Sequence, residues 1–320
     1  MREKATWWNS AMPEQARILA PLRGCSQVTR AGHAVVVLFA AMVTACGLGP
    51  EPAPVNLPRA DPSAIPATPR LALVLSSGGP RGFAHIGVLK VLDEAGIRPD
   101  FMVGSSSGAF VAVLYAADPS PRALEARALA LSGADVFDYS LVQRRITGTG
   151  LQSWVNQAVN GRQLDQLKLP VAIVATRSDT QRPVAFTRGD AGLAVRASSA
   201  VLGSFAPVEF GGVTYVDGDV AAPLPIDVAR SFGARKVIAV DVAQDVGRAP
   251  APIGSPANWT QEALDRRVKI DRELSRADVV IAPTLPYITG FSADYRKMAI
   301  ATGEAAARAV LPQLRTLVAR

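Results

Sequence analysis

The sequence predicts an α/β fold built on a mostly parallel sheet with helices on both faces. Three observations carry that expectation. From Arg70 onward, short apolar runs alternate with segments of helical period. Those runs are continuously apolar instead of alternating with polar residues, as strands buried on both faces must be. Glycine-rich turns follow the first two of them and lead into helices, the order of a βαβ unit.

Taken in order, "LALVLS" reads as a short buried strand, and "FAHIGVLKVLDEAG" as a helix with Gly96 as its stop. "RPDFMVGSSSG" is a strand entering a tight turn, and "AFVAVLYAA" is the apolar helix after it. "PVAIVATR" and "RPVAFT" read as neighbouring strands, "KVIAVDVA" and "ADVVIAP" as two more. "SADYRKMAIATGEAAARAVLPQL" is expected as one long terminal helix. The apolar stretch 132–168, with "SWVNQAV" in it, serves either core packing or the wall of a substrate pocket. No internal repeat or second boundary interrupts residues 70–320, so one domain is expected there.

Ahead of it lies a segment of different character. Residues 1–45 carry Arg2, Lys4, Arg17, Arg23 and Arg30 against Glu3 and Glu14, which leaves +4 of the +7 net charge to the rest. That remainder is spread without a basic stripe, which argues against nucleic acid as a partner. The basic start runs into "AVVVLFAAMV", about half of the ~20 apolar residues a membrane-spanning helix needs. Small residues and a cysteine follow as "VTAC", the order of a secretory signal peptide over residues 1–45. Val43-Thr44-Ala45-Cys46 also resembles the lipobox of bacterial lipoproteins, in which Cys46 becomes the lipidated N-terminus. An ordinary signal peptide would be cut at the same Ala45–Cys46 bond. The leader before the apolar core is long, and Met12 offers an internal start. Cys25 falls in the removed part, so no internal disulfide is expected. Residues 46–69 are proline-dense and read as an extended tether between anchor and domain. The expected location is the cell envelope or periplasm, on a membrane surface, with the oligomeric state open.

Three motifs carry chemistry. In "GSSSG" the register Gly104, Ser106, Gly108 places glycines two residues either side of a serine, between a strand and a helix. That is the nucleophile-elbow arrangement, although the pentapeptide alone is also an ordinary turn. "SSGGPRGFAHIG" lies between another strand and helix, and consecutive glycines at a helix start turn backbone N–H groups toward an anion. The Gly-Lys-Ser/Thr ending of a phosphate loop is missing. Pro80 has no N–H, so Gly78, Gly79 and Arg81 are the candidate donors for an oxyanion. Third, "YVDGDVAAPLP" places Asp217 after a short strand. An Asp-Gly pair is first of all a turn former. What raises Asp217 is the shortage of bases: the chain has 2 histidines, and His33 would leave with the signal segment. His85 remains, on the helix beside the glycine loop, where packing or loop support is the better reading.

"GGPRG", "GSSSG" and "DGD", in that order and spacing, resemble the patatin-like phospholipases. "ASSAVLGSFAPV", ahead of the aspartate strand, and "ADVVIAP" with "GFSADYRKM" extend the likeness over almost all of residues 70–320. The resemblance implies a three-layer α/β/α sandwich related to the α/β hydrolases. It also implies a Ser-Asp dyad of Ser106 and Asp217, an oxyanion loop of Gly78, Gly79 and Arg81, and lipid acyl esters as substrates. No metal or cofactor is implied. Two positions depart from the family pattern. Ser77 stands where a first glycine is usual, and Asp219 replaces the small residue after "DG", where it is expected to raise the pKa of Asp217. A lipoprotein that keeps the fold and binds lipid or a protein partner without catalysis is the alternative those departures favour.

Overall fold

The computed structural model describes residues 56–243, 259–285 and 292–319. The segment expected to be a signal peptide, residues 1–45, and Cys46 lie outside the described residues. In chain order the elements are β1 (Leu71–Leu75), α1 (Ala84–Glu94), β2 (Phe101–Ser105), α2 (Ser107–Ala117), α3 (Pro121–Ala130), α4 (Gly133–Val136), β3 (Tyr139–Ser140), β4 (Arg145–Ile146) and α5 (Thr149–Ala158). They continue as β5 (Val171–Arg177), β6 (Pro183–Phe186), α6 (Ala191–Ser198), β7 (Val208–Phe210), β8 (Val213–Val216), α7 (Ile226–Ser231), β9 (Lys236–Val240), α8 (Trp259–Leu274), β10 (Val279–Ile281), α9 (Ala293–Ala309) and α10 (Leu311–Ala319).

The main sheet runs β10-β9-β1-β2-β5-β8-β7, with β6 antiparallel on β5. Its five strands from β10 to β5 are parallel to their neighbours, and β8 and β7 close the far side antiparallel. Successive residues of β1 feed two separate cores: Leu71, Leu73 and Leu75 on one face, Ala72 and Val74 on the other. The first face is covered by α1, α2, α3, α5, α6 and α9, the second by α7 and α8. Both faces being buried is why the strands carry no polar alternation. The sandwich has the expected three layers.

Register places the site. Leu75, the last residue of β1, is paired with Gly104 near the end of β2 and with Val240 at the end of β9. The turns after β1 and β2 therefore emerge side by side at the carboxyl ends of parallel strands, where ligands gather in such sheets. A close helix crossing holds the α1 side of this arrangement. A Cβ on Gly87 would lie 1.9 Å from the Ile300 carbonyl oxygen, and one on Gly303 would lie 2.0 Å from that of Ala84. Neither side chain can exist without prising α1 and α9 apart.

Two expectations need correction. The terminal segment forms two helices, α9 and α10, broken at Val310. Pro312 has no N–H and its ring would meet the carbonyl four residues earlier, so it sits in the first turn of a new helix. Residues 56–69, expected as part of an extended tether, instead pack onto the domain. Arg59 bridges Arg188 antiparallel, Asp61 and Thr187 exchange hydrogen bonds of 2.9 and 2.7 Å, and Ile65 is buried. Proline density leaves only a short 3-10 turn, Pro62–Ala64, in place of an α-helix, but an extended chain with N–H groups at Arg59 and Asp61 still pairs with a neighbour. Among the described residues no helix is long and apolar enough to cross a membrane.

The α1–α9 contact makes one prediction. Gly87→Ala should lower the urea midpoint at unchanged slope, by the ~1–3 kcal/mol typical of overpacking. An unchanged midpoint would mean the helices separate freely.

Candidate active site

Ser106 sits between β2 and α2 with φ 52° and ψ −119°, a backbone conformation an L-residue adopts only under constraint. The constraint comes from packing on either side. A Cβ on Gly104 would be 2.5 Å from the Gly108 carbonyl oxygen, and one on Gly108 would be 2.3 Å from that of Leu75. Strand and helix thus meet backbone to backbone, and the turn between them has to be sharp. The Ser106 N–H is held by the Ser198 hydroxyl at 2.9 Å, which donates in turn to the Val174 carbonyl at 2.6 Å.

The three serines separate completely. Ser105 is buried, with its Oγ in the place a Cβ on Gly218 would need, and Ser107 packs against Gly82 in the same way. Neither hydroxyl has a hydrogen-bond partner among the described residues. Ser106 Oγ alone of the three reaches the aspartate, donating to Asp217 Oδ2 at 2.8 Å.

Asp217 follows directly on β8 and is almost fully buried. Its backbone is fixed from both sides: its N–H donates to the Ala200 carbonyl at 3.0 Å, and its carbonyl accepts from Thr176 Oγ1 at 2.8 Å. The second carboxylate oxygen, Oδ1, accepts the Asp219 N–H at 2.8 Å. Burial, and after it the Asp219 charge, push the Asp217 carboxyl up to about 7. The hydrogen bonds from the Asp219 N–H and the Ser106 hydroxyl oppose the rise without cancelling it.

The two departures from the family pattern touch each other. The Ser77 hydroxyl donates to Asp219 Oδ1 in a short contact. Arg266, from α8, grips the same carboxylate with Nε 2.8 Å from both oxygens and Nη2 2.6 Å from Oδ2. A residue that looks disruptive in either motif alone becomes, in the fold, a clamp between the glycine loop and the aspartate turn. Arg266 carries no motif signal, so sequence reading missed it, as it missed Ser198 and Thr176.

In the glycine loop, Gly78 and Gly79 keep their N–H groups without an acceptor among the described residues. Gly79 has φ +54°, which favours glycine, and a Cβ on Gly78 would be 2.7 Å from Val242. Arg81 differs. Its N–H donates to the Gly78 carbonyl at 3.2 Å and closes the turn, so it is spent there and unavailable to an oxyanion. His85 is fully buried, with Nε2 3.0 Å from the Ser76 carbonyl oxygen, which fixes the proton on that nitrogen. Burial takes its pKa down to about 4, so it is neutral and supports the loop from behind.

Residues 73–230 match the sequence profile of the patatin-like phospholipases. The domain belongs to the patatin-like phospholipase family. It is 36% identical over 181 residues to human patatin-like phospholipase domain-containing protein 6, covering 54% of this chain and 13% of that protein. An uncharacterised NTE family protein of Mycobacterium tuberculosis (strain ATCC 25618 / H37Rv) is 35% identical over 210 residues, 63% of this chain and 57% of that one. The chain thus spans only part of these curated relatives. The crystal structure of VipD from Legionella pneumophila superposes with a TM-score of 0.53 at 14% identity, over 77% of this chain and 67% of that chain, and shares the fold. Patatin-like phospholipases generally act as lipid-hydrolysing enzymes.

The buried carboxyl predicts how stability depends on pH. Because the fold favours protonated Asp217, its contribution is full below the ordinary value of 3.8 and is lost as pH rises through about 7. Asp217→Asn, which cannot ionise, should therefore gain in urea midpoint relative to wild type between pH 5 and pH 8. Parallel pH dependences for the two proteins would contradict the raised pKa.

Proposed function

We propose that the domain is a serine acyl hydrolase acting on acyl esters of lipids, with Ser106 as nucleophile and Asp217 as its base. The observation that carries this reading is the 2.8 Å bond from a conformationally constrained serine hydroxyl to a buried carboxylate held near neutral pKa. A general base works best when its pKa lies close to the working pH.

In the acylation step, Ser106 Oγ attacks the ester carbonyl carbon while its proton passes to Asp217 Oδ2. The carbonyl oxygen becomes an oxyanion, stabilised by the Gly78 and Gly79 N–H groups and by the positive end of α2. Collapse breaks the bond to the alkoxide, which leaves as the alcohol with the proton from Asp217. Water then attacks the acyl-serine, giving its proton to Asp217 and releasing the fatty acid. The proton finally returns to Ser106. No histidine takes part, in keeping with the neutral, buried His85.

Export behind the 1–45 leader and lipid attachment at Cys46 belong to the same proposal and would hold the domain at a cell-envelope membrane. The non-catalytic alternative drew its support from Ser77 and Asp219. Their mutual contact and the Arg266 pair give both a structural role that a working hydrolase can accommodate.

Kinetics on a short-chain p-nitrophenyl ester test the dyad. Asp217→Asn should lower kcat/KM by about 10²–10⁴-fold with circular dichroism unchanged, whereas His85→Gln should keep most of the turnover. The clamp makes a signed prediction for the acid limb of the pH profile. Asp219→Asn removes a charge that raises the Asp217 pKa, so the limb moves to lower pH. Arg266→Gln removes one that lowers it, so the limb moves up. Shifts in the same direction, or none, would refute the electrostatic account of Asp217.

A further inference from the structure

The ribbon β3–β4 ends in a tip, residues 141–144, whose apolar side chains are turned to solvent. Leu141 is 85% and Val142 95% exposed, and Tyr139 at the base is half exposed. Single exposed aliphatics are ordinary, but these two adjoin and top a short hairpin. A second pair, Val201 and Leu202, is exposed on the neighbouring turn. The two segments are joined through Ile146, which donates to the Ser204 carbonyl at 3.0 Å and accepts from the Ala206 N–H at 2.9 Å.

That turn is continuous with the active site. Ser198 holds the Ser106 N–H and the Ala200 carbonyl holds that of Asp217, one residue before Val201. Charge at the tip has one sign. Arg144 and Arg145 are exposed and have no ion-pair partner among the described residues. Asp138, the acid beside the ribbon, is consumed locally by the Gly148 and Thr149 N–H groups at 2.9 and 3.0 Å and by the Thr147 hydroxyl. Glu209, which shares a cleft with Arg145, accepts from Thr214 at 3.4 Å.

Apolar side chains projecting beside unpaired arginines suit an anionic lipid surface, where the first enter the acyl boundary and the second meet phosphates. We propose that the hairpin tip and the Val201–Leu202 turn seat the domain on an anionic bilayer, with the dyad facing it. This surface rests on the lipid-hydrolase reading of the site and is separate from any anchor at Cys46. Arg144 and Arg145 supply the charge-dependent part, roughly fivefold in attachment for each.

The test uses the full chain carrying Cys46→Ser, so that no acyl anchor contributes, and vesicles of phosphatidylcholine with or without 30% phosphatidylglycerol. Leu141→Asp with Val142→Asp should reduce co-flotation with the mixed vesicles, and hydrolysis of their lipid, by about tenfold or more. Turnover of the soluble p-nitrophenyl ester should stay unchanged. Arg144→Gln with Arg145→Gln should weaken flotation with the mixed vesicles but not with phosphatidylcholine alone. Undiminished flotation of the Leu141/Val142 variant overturns the proposal whatever the turnover. Loss of flotation in a chain that hydrolyses no ester upholds the surface and removes the hydrolase reading instead.

Discussion

Burying a carboxylate without a cation against it is costly, and the site is organised around that cost at Asp217. Its two oxygens receive one hydroxyl and one backbone N–H, from Ser106 and Asp219. The Arg266 guanidinium is hydrogen-bonded to Asp219, and its charge lowers the Asp217 pKa less than burial and the Asp219 charge raise it. What results is a carboxyl near pKa 7 in place of a firmly ionised one. The proposed dyad without histidine needs this, because an aspartate of ordinary pKa is too weak a base to draw a proton from serine. In the proposed mechanism, packing of the aspartate turn does what an imidazole does in a triad.

Every other element follows from bringing that carboxylate to the serine. The Leu75–Gly104 register puts the glycine loop and the elbow at the same height on the sheet. β8 delivers Asp217 at its end, and Thr176 on β5 bonds the Asp217 carbonyl, so the aspartate's position is referred to the central sheet. Segment 198–200 holds the backbone N–H of both Ser106 and Asp217, the first through the Ser198 hydroxyl and the second through the Ala200 carbonyl. A single short stretch thereby bears on the distance between the Ser106 hydroxyl and the Asp217 carboxylate. The same stretch runs on into the exposed Val201–Leu202 turn, which couples the interior geometry to the surface.

Much of this was legible in the sequence, and for local reasons. An elbow needs glycines where strand and helix backbones touch, so the spacing of Gly104, Ser106 and Gly108 together with their place between a strand and a helix announces it. The strands announce themselves because both faces of the sheet are buried. Contacts fixed by tertiary placement were not legible. Arg266 lies 47 residues from Asp219 on a helix with no motif, and only the packing of α8 brings it there. Ser77 and Asp219 each looked like a defect, since nothing in the order of residues shows that they meet. Arg81 was expected as a donor because its N–H exists, but the turn it closes uses that group. Proline content likewise concealed the docking of residues 56–69, because extended chain can be either free or paired at an edge.

The central claim is that one hydroxyl of three adjacent serines is reactive, and that the carboxylate opposite makes it so. Covalent labelling with a fluorophosphonate, followed by tandem mass spectrometry of the peptide spanning Ser105, Ser106 and Ser107, reads this directly. The account predicts a single adduct on Ser106, formed quickly in the wild type and slowly in Asp217→Asn. An adduct on Ser105 or Ser107, or labelling of Ser106 at the same rate without the Asp217 carboxylate, would contradict it.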